Sequence, residues 1–208
     1  MSSTEQRSGR ADAWFELTPE QGRLLPRLAR HGIAHRLETG EPLPRPSGLA
    51  EPLTRPGAAF VSLYRAEGLR GCMGTLLAER PLVDSVLDAA LDAALGDPRF
   101  PPVERDELDA LTITVPVLSE PQAMAVSGEQ DLLEQLQPGE DGLILHDGKH
   151  RATFLPAVWE QLPDPQDFLA QLKAKAGLPP DHWSPTLQFA RYRSLSFTDP
   201  PPQERKGA

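Results

Sequence analysis

Proline punctuates this chain more than any other residue. Of its 23 prolines, 14 crowd into Pro42–Pro56, Pro98–Pro102, Pro179–Pro185 and Pro200–Pro202. Proline fixes φ and lacks a backbone donor, so regular elements must fit between these clusters, joined by stiff, extended connections. At 208 residues the chain has the length of one ordinary domain with a sizeable core. Residues 1–14 and 199–208 carry no apolar periodicity and are expected to be flexible tails around a single folded unit, 15–198.

Within that unit the elements follow from local chemistry. Leu17-Thr18-Pro19-Glu20-Gln21 spells a helix start: Thr18 caps, Pro19 suits the first turn, and Gln21 completes a capping box. Leu24, Leu25, Leu28, Ile33 and Leu37 mark its buried stripe. Ala58 to Leu77 reads as a β-hairpin, Phe60–Tyr64 and Leu69–Leu76 around Ala66-Glu67-Gly68. Leu82, Val83, Val86, Leu87, Ala90, Leu91, Ala94 and Leu95 form a helical stripe that Gly96 and Pro98 end.

A short helix near Glu104–Leu108 and a strand over Leu111–Val117 follow, with Pro116 expected at an edge or bulge. Asp131–Leu136 should be a short helix. Gly142 to Phe154 reads as a hairpin turning at Asp147-Gly148, so that His146 opposes Lys149 and His150 opposes Leu145. A helical turn starts at Pro156, Asp164 caps a helix that Gly177 ends, and Leu187–Phe197 is the last strand. The order lacks a βαβ repeat, so the class is α+β, an antiparallel or mixed sheet flanked by helices.

The net charge of −9 repels phosphate backbones and anionic lipid, so neither nucleic acid nor membrane is an expected partner. No stretch has the roughly 20 apolar residues of a membrane span, and the polar start lacks a signal-peptide core; a cytoplasmic protein is expected. Cys72 is the single cysteine, which excludes an intrachain disulfide and a zinc site with several thiolates.

That cysteine lies in Leu69-Arg70-Gly71-Cys72-Met73-Gly74-Thr75, between two glycines. Glycine weakens a strand unless another backbone or a ligand comes close. Strand alternation places Arg70 and Cys72 on one face, with Cα atoms about 7 Å apart, where a guanidinium would favour the nucleophilic thiolate. The plainer reading is a packed cysteine beside a bulge.

LRGCMGTL, DPRFPP, LTITVPVLSEP, GEDGLIL, RATFLPAVW and KAKAGLP occur in that order, and together they resemble the AMMECR-type domain family, whose bacterial and archaeal members are also called AmmeMemoRadiSam system protein A. The resemblance runs from about Leu17 to Phe197. Its signature falls on Leu69, Arg70, Gly71, Cys72, Gly74 and Thr75, with Met73 where isoleucine is usual, a mild apolar swap. It implies an α+β fold with an antiparallel sheet and helices in a larger and a smaller lobe. It also implies association with a Memo-type protein, resembling metal-dependent dioxygenases, and with a radical SAM enzyme. No reaction or cofactor is implied.

The candidate site therefore centres on Cys72 and Arg70 as hypothetical catalytic residues. Gly71, Gly74 and Thr75 join Asp97, Arg99 and Phe100 of the Pro-braced loop, and Arg151 and Thr153 of a shared strand face, as candidates for binding a small-molecule substrate or a partner. His31 and His35 lack a metalloprotease glutamate, and His146 and His150 point to opposite faces, so no metal site is expected; either of the latter pair could serve as a base for Cys72. Nucleotide-binding and hydrolase motifs are absent, and the bare Gly68-Leu69-Arg70-Gly71 in an acidic chain is not an RNA-binding loop. Two functions remain: an enzyme or enzyme-assisting protein using the Cys72 thiolate on a small molecule, or a non-catalytic module docking the two partners.

Overall fold

The computed structural model describes residues 17–66 and 68–202. The expected N-terminal tail lies outside the described residues, as do Glu67 and the chain beyond Pro202. The chain forms two compact units, a larger one up to Leu118 and again from Leu195, and a smaller one over Ser119–Ser194.

In the larger unit, α1 (Pro19–Thr39) starts at the capping box of Thr18 and Gln21 and ends at Gly40, whose φ of 77° is left-handed. A short α2 (Glu51–Thr54) precedes β1 (Ala58–Arg65) and β2 (Gly68–Gly74), and α3 (Leu82–Leu91) continues into a π-helical turn, Asp92–Gly96. The expected helix to Leu95 thus changes hydrogen-bond pattern after Leu91. β3 (Thr112–Leu118) and β8 (Ser194–Asp199) complete a sheet of order β2-β1-β3-β8. Helices α1 and α3 pack on each other, α1 against β3 and α3 against β1 and β2. Val61, Leu63, Ile113 and Val115 meet Leu25, Ile33, Val86 and Ala90 in the core, most of them fully buried. Each such large aliphatic side chain contributes about 1.5–3 kcal/mol.

Pro116 is in an interior strand, not at an edge or bulge. The β1–β3 register is the same on both sides of it, Ala59 opposite Val117 and Ser62 opposite Thr114. A proline removes one donor only, and the flanking pairs hold the ladder. Beyond the expected limit at 198, Asp199 is buried, accepting from Arg30 Nε at 2.8 Å, while Arg30 also donates to the carbonyls of Leu108 and Leu111 at 2.7 Å each.

The smaller unit contains β4 (Gln122–Met124), α4 (Glu129–Gln135), β5 (Gly142–Asp147), β6 (His150–Phe154), α5 (Pro165–Lys175) and β7 (Gln188–Tyr192), with sheet order β4-β7-β5-β6. Its core gathers Leu132, Leu143, Leu145, Trp159, Phe168, Leu172 and Phe189. Asp164 caps α5 through the N–H groups of Gln166 and Asp167, and Gly177 follows its end at φ 75°.

Two expectations change here. The hairpin turns at Gly148-Lys149, so Asp147 pairs with His150 and His146 with Arg151; Gly148, at φ 60°, takes the first turn position. The two histidines still occupy opposite faces. The single last strand is two strands in different sheets, β7 and β8, separated at Arg193. Among the described residues no helix is long and apolar enough to cross a membrane.

Candidate thiol site

Cys72 lies on β2, an edge strand, opposite Ser62 of β1. The β1–β2 ladder carries a bulge: Leu63 pairs with Gly71 but Tyr64 with Leu69, leaving Arg70 as the extra residue. The period-two argument that put Arg70 beside Cys72 does not cross this bulge. Arg70 donates instead from Nε and Nη2 to the two carboxylate oxygens of Glu107 at 2.6 and 3.0 Å, and to the carbonyls of Pro101 and Pro102 at 2.8 and 3.2 Å. This fork clamps the loop after the π turn to β2. It holds the Glu107 carboxyl below its ordinary range, chiefly through the Arg70 hydrogen bonds.

The cation held at Cys72 is Arg99. The Asp97 carboxylate, buried with its residue only 5% exposed, accepts the Cys72 N–H at 2.9 Å, and from Arg99 it accepts Nε at 2.9 Å, Nη2 at 2.7 Å and the backbone N–H at 3.1 Å. Arg99 Nη2 also donates to the Cys72 carbonyl at 3.1 Å. The ion pair thus satisfies both outward backbone groups of Cys72 as a neighbouring strand would, closing the sheet edge there. These bonds keep Asp97 well below the carboxylate range, the Arg99 side chain first and the Cys72 N–H next, against the opposing effect of burial. Arg99 is in turn held above its ordinary value, first by hydrogen bonding to Asp97 and then by attraction to it, against the opposing effect of burial. Its side chain remains 55% exposed, 5.4 Å from the Phe100 ring centroid.

Because the backbone groups of Cys72 turn outward, Cys72 and Ser62 form a non-hydrogen-bonded antiparallel pair, the type with closer side chains. Ser62 Oγ donates to Cys72 Sγ at 3.3 Å. Cys72 as a residue is partly exposed.

The flanking glycines serve close packing. A Cβ on Gly71 would lie 2.1 Å from the Ala93 carbonyl oxygen of the π turn, and one on Gly74 would lie 2.4 Å from that of Ala59. Thr75 donates its N–H to Ala59 and accepts the Leu77 N–H, closing a turn. A cavity of about 230 Å³ opens beside it, lined by Gly74, Thr75, Glu79, Arg80, Ser85 and Asp92 among others.

Arg151 and Thr153 belong to the smaller unit. Arg151 is exposed, opposite His146. Thr153 donates to the Leu143 carbonyl at 3.0 Å and bonds the Tyr192 hydroxyl at 2.9 Å. His150 Nδ1 bonds the Ala176 carbonyl. Asp147 gathers His182 Nε2 at 2.7 Å, Ser184 Oγ at 2.8 Å and Thr186 Oγ1 at 2.5 Å, and these hold its pKa at about 2. No group of three or more His, Cys, Asp or Glu able to hold a metal occurs among the described residues. Ser62 and Glu107 were not among the sequence candidates. A lone hydroxyl in an otherwise apolar strand is a faint signal, and only the pairing register makes it specific.

Fold and site define an α+β protein of two antiparallel sheets with a thiol on an edge strand of the first. A family model described as AMMECR1 matches residues 26–197. A protein of Methanothermobacter thermautotrophicus is 36% identical over 183 residues, 87% of this chain and 95% of the relative. One of Thermococcus onnurineus is 39% identical over 179 residues, 81% and 85% of the two chains. The crystal structure of the uncharacterised protein PH0010 from Pyrococcus horikoshii matches with a TM-score of 0.85 at 34% identity, over 90% of this chain and 95% of that one. The chain belongs to the AMMECR1 family.

Proposed function

We propose that this protein works through the Cys72 thiolate on a small electrophilic molecule, as an enzyme or an enzyme-assisting protein beside Memo-type and radical SAM partners. The observation that carries the reading is the Arg99 guanidinium, fixed by buried Asp97 and donating to the Cys72 carbonyl. A thiolate that forms a carbon–sulfur bond passes its charge to the substrate, whose displaced electron pair comes to rest on a heteroatom; the thiol proton has by then gone to solvent. A half-exposed guanidinium held at the Cys72 backbone is placed to serve that transfer, by attracting the anion that forms on the substrate.

The test is the alkylation rate of Cys72 in the native protein as a function of pH, wild type against Arg99→Gln. Removing the cation should slow labelling at a fixed neutral pH by about 3-fold or more. A wild-type thiol that reacts only on unfolding would sink the reading.

A second reading, a docking module, draws on Tyr64 and Leu69, cross-strand partners exposed by 40% and 39%. It is favoured if Cys72→Ser retains partner binding and Leu69→Asp abolishes it.

A further inference from the structure

One face of α3 carries polar groups that the protein itself leaves without partners. Ser85, Asp88, Ala89 and Asp92 follow helical spacing along α3 and into its π turn, and together they line the cavity of about 230 Å³ whose opposite wall includes Gly74 and Thr75. Ser85 is only 6% exposed, yet its hydroxyl makes no hydrogen bond among the described residues. A helical hydroxyl commonly donates to a carbonyl one turn back, as Thr39 does to His35 and Thr54 to Glu51; Ser85 does not. Thr75, the other hydroxyl of the cavity, accepts the Leu77 N–H at 3.0 Å. Among the described residues every enclosed side-chain oxygen or nitrogen has a partner, so the Ser85 oxygen is not sealed in but opens on the cavity it lines. Burying a hydroxyl with no partner is costly, and a polar molecule in the cavity would supply one.

The charges around that hydroxyl specify the molecule. Asp88 is paired with Arg80. Glu79 and Asp92, both exposed at the rim, make no ion pair or hydrogen bond among the described residues. The cavity therefore keeps two uncompensated carboxylates. They do not converge with a third ligand as a metal site requires, and the floor between the polar groups is the small apolar surface of Ala89 and Gly74. Ser85 and Asp92 are about 10 Å apart along the helix. Separated carboxylates above an apolar floor suit a cation whose charges are separated by an aliphatic chain.

We infer that this cavity binds a short aliphatic diamine, its ammonium groups drawn to Glu79 and Asp92 and one of them donating to the Ser85 hydroxyl. Cys72 does not line the cavity, so the site stands apart from the thiol reading and its test leaves that reading untouched.

The test is isothermal titration calorimetry of the full chain with 1,4-diaminobutane at neutral pH and low salt, comparing wild type with Ser85→Ala, Asp92→Asn and Glu160→Gln. Wild type should show saturable one-to-one binding. Ser85→Ala should weaken it about 10-fold, as expected for a hydrogen bond from a charged group, and Asp92→Asn about 3-fold or more. Glu160, exposed in the smaller unit and not part of the cavity, is the control and should bind as wild type does when changed to glutamine. Ser85→Ala is decisive because it keeps the net charge, so its loss cannot come from the general attraction of an acidic chain for cations. Equal affinity in all four proteins would show only that general attraction and overturn the inference. No saturable binding to wild type at millimolar diamine would overturn it as well. Should Ser85→Ala not fold, Asp92→Asn against Glu160→Gln, both at exposed positions, makes the same decision.

Discussion

Replacing Gly71 with alanine would probe the contact on which the thiol strand is mounted. The added Cβ would meet the Ala93 carbonyl oxygen at 2.1 Å and its carbon at 3.1 Å. A carbon–oxygen contact relaxes at about 3.3 Å, so the π turn and β2 must part by roughly 1.2 Å, and a backbone carbonyl has no rotamer by which to move aside. Overpacking of this kind typically costs about 1–3 kcal/mol, and a backbone neighbour places the site near the upper end. Alanine restricts the unfolded chain and returns about 0.4–1 kcal/mol. The net loss is about 2 kcal/mol, and for a chain of this size each kcal/mol lowers the melting temperature by about 2–4 °C, giving a fall of roughly 4–8 °C. Gly128→Ala is the control, since nothing lies within 4 Å of its Cβ position and its φ of 178° is ordinary extended backbone. Thermal unfolding followed by circular dichroism measures both. A Gly71→Ala protein melting at or above the wild type would show that the close approach does not dictate the glycine.

Two further outcomes follow from buried and partly buried charges. Asp199→Ala leaves the Arg30 guanidinium, whose side chain is 10% exposed, without its carboxylate; breaking such a pair costs about 3–5 kcal/mol, read from urea unfolding, and a loss below about 1 kcal/mol would contradict the role given to the pair. Asp147, with its pKa at about 2 in the folded chain, contributes stability that is complete above the ordinary value of about 3.9 and lost as pH falls through the folded one. Trp183, stacked on Phe189, lies in the segment Asp147 holds, so its fluorescence should stay native at pH 4 and change towards pH 2. Asp147→Asn should remove that acid step, and an identical acid profile in both proteins would refute it.

How far the residues announce this structure depends on the range of the interaction. The Thr18–Gln21 capping box, the Asp164 cap and Gly177 are settled within four residues of themselves, and each is where local chemistry puts it. Strand pairing is settled between distant segments and reads less well. The turn falls at Gly148-Lys149 because Asp147 stays in the strand, where it collects His182, Ser184 and Thr186, partners at least 35 residues away. Alternation from Leu187 to Phe197 continues through a change of sheet: Tyr192 packs over Gly142 in the smaller unit, and Phe197 over Gly22 in the larger. The bulge at Arg70 is equally silent in sequence, and it is the reason the guanidinium nearest the thiol in sequence serves Glu107 while one 27 residues away serves Cys72.

That division separates two kinds of residue within one short motif. Arg70 fastens the loop from Pro101 to Glu107, Gly71 admits the Ala93 carbonyl, Gly74 admits Ala59, and Thr75 closes the turn to Leu77. Each of these duties is architectural and would be needed whatever the protein does. Cys72 differs, because its backbone completes the edge with Asp97 and Arg99 while the residue stays partly exposed and its sulfur accepts one hydroxyl. A packing cysteine needs neither, since a small apolar side chain fills such a position equally well. The architecture of the motif therefore builds a frame around a side chain that the frame itself does not require, which is the condition the proposed thiol role needs.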